Sequence, residues 1–96
     1  MTDAELLIEC KKGLGMQTDS TEFDGVIAQK VLAIKAFIKD AGVSDTVMNS
    51  DLCVGTIVMG VTDLWSTEGG NTKFSPLFYT FLGQLSAASL VSGEVI

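Results

Sequence analysis

Histidine and arginine are both absent from this chain of 96 residues. Without imidazole, Ser-His-Asp and Cys-His catalysis and mixed Cys/His zinc sites are excluded. Without arginine, base readout on nucleic acid loses its commonest side chain. Six lysines against twelve acids leave a net charge of −6, the wrong sign for releasing counterions from phosphates. Cysteine is scarce: Cys10 and Cys53 each fall within an apolar helical pattern, 43 positions apart. They read as two buried free thiols of a reducing compartment rather than as a disulfide. The start, MTDAELLIE, lacks the basic-then-apolar order of a signal peptide. The longest central uncharged run, Leu52 to Thr62, is too short to span a bilayer. An intracellular, soluble chain is expected. P-loop, GxGxxG, EF-hand and CxxC motifs are missing. Asp45 and Asp51 share no helical face, and Glu5 and Glu9 read as a solvated one. Nothing supplies a nucleophile with its base, so no enzyme, metal or cofactor is expected.

Apolar residues, by contrast, are plentiful. They make up 47% of the chain, and mean hydropathy is +0.40. A single small domain cannot bury all of them, which points to self-association or a partner surface.

The clearest element is Phe23 to Ala41. At about 100° per residue, Phe23, Ile27, Val31, Ile34, Ile38 and Ala41 fall on one arc, widened by Val26 and Phe37. That is a core face. Gly25, Ala28, Leu32 and Ala36 form a second face on the other side. Small residues around one leucine suit close approach by another helix, although alanine is also simply a good helix former.

A first helix precedes it, from Thr2 to Leu14, capped by Thr2 or Asp3 with Glu5 in the first turn. Its stripe is Leu6, Leu7, Cys10 and Leu14, with exits at Gly13 and Gly15. Asp19, Ser20 or Thr21 would cap the second helix, which stops at Gly42. A third helix is expected over Asp45 to Trp65, with Met48, Leu52 and Met59 as a second apolar strip. Within it, VGTIVMGV has the β-branched content of a strand, but the periodicity around it is helical. STEGGNTK, residues 66–73, is a loop. Ser75-Pro76 starts a fourth helix that ends near Gly83 to Ser86, or frays into Ala87-Ala88. Trp65, Phe74, Phe78 and Phe81 should fill the junction of the third and fourth helices, with Tyr79 facing out. The rest, 86–96, shows no helical pattern and reads as a disordered tail or an arm that orders on a partner. The expected architecture is therefore all-α: a compact bundle of four helices in one domain, 1–85, followed by a flexible or arm-like tail, 86–96.

Asn49-Ser50-Asp51-Leu52 is superficially similar to the Asp-Ser-Leu of acyl carrier proteins, but the order differs and Ser50 is expected inside the third helix. A fuller resemblance spans residues 5 to 85. LLIECKKGLGM ends in Lys-x-Gly-Leu-Gly; Phe23-Asp24-Gly25-Val26-Ile27 opens the second helix and Ile38-Lys39-Asp40-Ala41-Gly42 closes it. Val61-Thr62-Asp63-Leu64-Trp65 closes the third, followed by a Gly-rich loop, Phe74-Ser75-Pro76-Leu77-Phe78 and Gly83-Gln84-Leu85. The chain resembles the small head–tail connector proteins of tailed bacteriophages and prophages, the adaptor or head-completion family.

The resemblance implies a structural virion protein with no catalytic residues. It would assemble as a ring, commonly of about twelve copies, beneath the portal at the head–tail junction, after residence in the host cytoplasm during assembly. Its partners would be itself, the portal and the next connector or tail protein. DNA would be passing cargo in an extended channel, without sequence-specific binding, and no membrane is involved. An acidic surface suits a channel through which DNA slides. Gly25, Ala28, Leu32 and Ala36 become the expected subunit interface, and Tyr79, Leu90, Val91, Val95 and Ile96 the expected docking residues. From a different class, a helical interaction module of a bacterial cell, outside any virion, would fit the same composition.

Overall fold

Helix boundaries follow from local capping chemistry. The computed structural model describes residues 2–65 and 74–91. Among them lie α1 (Asp3–Gly13), α2 (Asp24–Asp40), α3 (Asp45–Met48), a 3-10 turn (Asp51–Cys53), α4 (Val54–Trp65) and α5 (Pro76–Val91). No strand occurs among the described residues, so the chain is all-α, with four long helices. The expected loop at 66–73 lies outside the described residues.

Thr2 opens α1 with a reciprocal capping box. Its hydroxyl accepts from the Glu5 N–H at 3.2 Å, and Glu5 Oε1 accepts from the Thr2 N–H at 3.1 Å. Both α1 and α2 end in the same way. Met16 N–H donates to Lys11 O at 2.9 Å and Gly15 N–H to Lys12 O at 3.1 Å. Val43 N–H donates to Ile38 O at 3.4 Å and Gly42 N–H to Lys39 O at 3.0 Å. These are Schellman closures, and each needs a left-handed residue: Gly15 has φ +74° and Gly42 φ +97°. At the second closure, buried Val43 and Ile38 supply the apolar contact that accompanies the motif.

The start of α2 departs from expectation. No side chain of Asp19, Ser20 or Thr21 caps it; Phe23 holds the cap position without a side-chain hydrogen bond. Asp24 in the first turn instead pairs with Lys11 at 2.6 Å, where an anion also meets the helix dipole favourably.

The expected continuous helix over Asp45–Trp65 is interrupted. Ser44 caps α3 through its hydroxyl, which accepts from Val47 N–H at 3.2 Å. Four residues later the chain leaves the helix: Ser50 is extended, with φ −86° and ψ 164°. Its hydroxyl donates to Val47 O at 2.6 Å and satisfies a carbonyl that a continuing helix would have used. Ser50 is thus between two helical pieces rather than inside one. Beyond it, VGTIVMGV is helical, so periodicity prevails over local strand preference.

The core is formed by Leu6 and Cys10 of α1; Ile27, Val31, Ile34 and Ile38 of α2; Val43, Val47 and Cys53; Ile57 and Val61 of α4; and Phe78, Leu82 and Leu85 of α5. Gly60 lets α4 approach its neighbours. A Cβ there would sit 2.8 Å from Phe78 Cε1 and 2.9 Å from Ile34 Cδ1. The aromatic residues divide into two groups instead of one. Trp65 packs edge-on against Phe23 at 5.5 Å, under Lys30 Nζ at 5.9 Å. Phe74 stacks on Phe78 at 4.5 Å, with Phe37 of α2 tilted against both.

The fourth long helix also runs further than expected, through Ser86 to Val91. Its serines fasten it to the α2–α3 connection. Ser86 Oγ donates to Ala41 O at 3.2 Å. Ser89 Oγ, fully buried, accepts from Ser44 N–H at 2.9 Å and donates to Leu85 O at 3.0 Å. Residues 86–91 therefore belong to the bundle.

Candidate functional site

Helices α1 and α2 run antiparallel, joined at both ends by charge. Lys11 meets Asp24 at one end, and Lys35 meets Asp3 at 3.3 Å at the other. Between the two pairs the side chains are small or apolar, and a cleft of about 320 Å³ opens. Ala4 and Leu7 of α1 face Ala28, Val31 and Leu32 of α2 across it, with Asp3 and Lys35 at its end. Alanine on both shoulders is what leaves the space; longer side chains would close it. Leu32 stands on the rim, 68% exposed.

Of the four residues expected at a subunit interface, Ala28 and Leu32 line this cleft. Gly25 and Ala36 are exposed beyond it on the same helix. A Cβ at Gly25 would meet nothing within 4 Å, so no neighbour within the chain requires glycine there.

A second cleft, about 240 Å³, lies between α4 and α5. Leu52, Gly55 and Thr56 form one side, Phe81, Gln84, Leu85 and Ala88 the other. Leu52 is 68% exposed. Its sequence pattern groups it in a strip with Met48 and Met59. The break at Ser50 separates them: both methionines pack against the core while Leu52 points outward. The cleft has no signal in the sequence because it depends on how the 3-10 turn and α4 sit against α5, which no periodicity within one helix reveals.

Tyr79 is exposed, with its ring edge-on to Phe78 at 5.8 Å and Phe74 at 6.2 Å. Leu90, at 76%, is the most exposed of the large apolar residues described. Val91 closes α5 with its backbone, while Val95 and Ile96 lie outside the described residues. Neither Tyr79 nor Leu90 borders either cleft.

Both cysteines are free and fully buried. Desolvation pushes each thiol up to about 11, aided by the Glu9 carboxylate at Cys10 and opposed by the Lys35 ammonium at Cys53. Neither is a thiolate nucleophile at neutral pH. The Glu5 carboxyl is held below its usual range, first by the Thr2 N–H and then by the Thr2 hydroxyl, both of which favour the anion. Among the described residues, no three acidic, cysteine or histidine side chains gather as a metal would require. Nor is any described helix long and apolar enough to cross a membrane.

No family model, curated protein or solved structure matches this chain.

Proposed function

We propose that this chain is a non-enzymatic structural adaptor of a phage or prophage particle, assembling into a head–tail connector ring beneath the portal and extending the DNA channel. The observation that carries the reading is the pair of unlike apolar clefts. One lies on α1–α2 with Leu32 at its rim, the other on α4–α5 with Leu52. The two helix pairs share no member. A ring joins each subunit to the next through two different surfaces, so a protomer must carry two. Large apolar side chains left in water on a domain this small favour association. The net charge of −6 suits a channel that must not hold DNA. The order of helices and turns that resembles the connector family adds to this.

Light scattering of the chain, alone and mixed with the portal encoded in the same gene cluster, tests the reading. A large species formed alone or with the portal is expected. Leu32→Glu should raise the dissociation constant of that species by about tenfold or more, since a charge would then be buried at the contact. A strict monomer that ignores the portal at high concentration would overturn the connector assignment and favour the cellular interaction module.

A further inference from the structure

The two helix pairs differ in charge as well as in shape. Every lysine among the described residues lies on α1 or α2, Lys11, Lys12, Lys30, Lys35 and Lys39, where Asp3, Glu5, Glu9, Asp24 and Asp40 balance them in number. From Asp45 onward the described charges are acidic only, namely Asp45, Asp51 and Asp63. Asp45 pairs with Lys39 at 3.2 Å, and Asp63 accepts from Ser75 N–H at 3.0 Å. Asp51 is exposed and forms no ion pair among the described residues. It stands immediately before Leu52 on the 3-10 turn, so one short element presents an anion beside an apolar knob.

The α1–α2 cleft offers the complement. Its apolar walls have room for a leucine side chain, and Lys35 supplies a cation at its end. The present counter-ion of Lys35 is Asp3, a side chain 94% exposed and held by little else. The geometry points to a head-to-tail contact between two copies of this chain, in which Leu52 of one copy enters the α1–α2 cleft of the next and Asp51 meets Lys35. Leu90 is more exposed, but no described acid accompanies it. Leu52 supplies affinity by leaving water. The charge pair adds orientation more than strength. Because donor and acceptor are different surfaces, each added copy presents a fresh knob and a fresh cleft, as a ring or filament requires.

This contact rests on the self-assembly proposed above, and the experiment separates the two. Sedimentation of the full chain is measured over a wide concentration range for the wild type, for Leu52→Glu, for Leu32→Glu and for an equimolar mixture of the two variants. Both leucines are largely exposed, so helical circular dichroism should be unchanged. Each variant alone is expected to stay monomeric where the wild type assembles. Their mixture should stop at a one-to-one pair, because only one intact knob and one intact cleft remain between them. Lys35→Glu should weaken assembly about tenfold, and adding Asp51→Lys to the same chain should restore it. This charge swap tests the contact even where a glutamate at position 52 or 32 proves disruptive. Assembly of Leu52→Glu at wild-type concentrations overturns the contact while leaving self-assembly standing. A wild type that is monomeric up to its solubility limit also overturns the contact; the connector reading then depends on portal binding alone.

Discussion

Lys11 is the residue whose role differs most between sequence and structure. In sequence it is one of two lysines in the last turn of a helix, where a cation favours the dipole. In the structure its side chain is 5% exposed, paired with Asp24 at 2.6 Å and donating to Ser20 O at 2.6 Å and Thr18 O at 3.4 Å. One ammonium thus closes the loop between α1 and α2. No pattern of neighbours marks this, because its partners follow in and just after a loop without periodicity. Removing it would strand a carboxylate and two carbonyls. Lys11→Met should therefore cost about 2–4 kcal/mol in urea unfolding, while Lys12→Met, at a side chain 59% exposed, should stay within about 0.5 kcal/mol. Equal effects would refute the burial argument. Gly60 is the opposite case, a residue defined by what it lacks. Gly60→Ala drives a methyl into Phe78 and Ile34 and should cost about 1–3 kcal/mol despite alanine's better helix propensity. The thiols add a pH signature. Their folded values, about 11, lie above those of the unfolded chain, so the unfolded state loses protons first as pH rises. Stability conferred by the neutral thiols is intact below about pH 9 and is lost as pH climbs towards 11. A Cys10→Ala, Cys53→Ala double variant should show a shallower decline over that window, and an identical decline would assign the loss to other groups.

At the scale of elements, the legible parts were those in which side-chain type decides the outcome locally. Thr2, Gly15, Gly42 and Ser75 are caps by their own chemistry, and all four act as such. The core arc of α2 was legible because four buried isoleucines and valines repeat at helical spacing. Its edges were not: Phe23, Val26 and Phe37 stay partly exposed, since their burial depends on where α4 and α5 end. Two features were hidden. The break at Ser50 arises from one hydroxyl competing for the Val47 carbonyl, a choice that serine makes in some helices and not in others. The C-terminal half of α5 looked patternless because its anchoring groups are serines, which hydrophobic periodicity does not count. Ser89 is as buried as any core residue, and its hydroxyl satisfies the N–H of Ser44, which in turn caps α3. Ser89→Ala should therefore leave a buried N–H unpaired and cost about 1–3 kcal/mol. Ser86→Ala, at a partly exposed carbonyl contact, should cost about 1 kcal/mol or less. A Ser89→Ala variant as stable as the wild type would refute the anchoring role of that hydroxyl.

At the scale of the whole molecule, the shape explains why apolar surface remains outside. The bundle measures 40 × 29 × 18 Å. With helices about 10 Å across, the short dimension holds only two layers, so no helix can be surrounded. Both clefts are consequences of this thinness, and Leu32 and Leu52 on their rims are among the large apolar residues left exposed, with Leu77 and Leu90 elsewhere. Electrostatics opposes bringing such molecules together, because each copy carries −6. At about 0.01 M ionic strength the screening length is about 30 Å, comparable to the molecule, and every copy feels its neighbours' full charge. At about 0.1 M it falls to about 10 Å and mainly adjoining residues interact. The one complementary pair assigned to the contact joins the exposed Asp51 to Lys35, whose side chain is 21% exposed, and contributes about 1 kcal/mol, itself weakened by salt. Repulsion between the net charges outweighs that attraction, and the burial of Leu52 is insensitive to screening. Assembly should accordingly tighten several-fold as salt is raised between those two concentrations, measured as the sedimentation midpoint. Tightening at low salt instead would mean that the local attraction of Asp51 for Lys35 outweighs the net charge. The contact would then be an electrostatic one, with Leu52 secondary to Asp51.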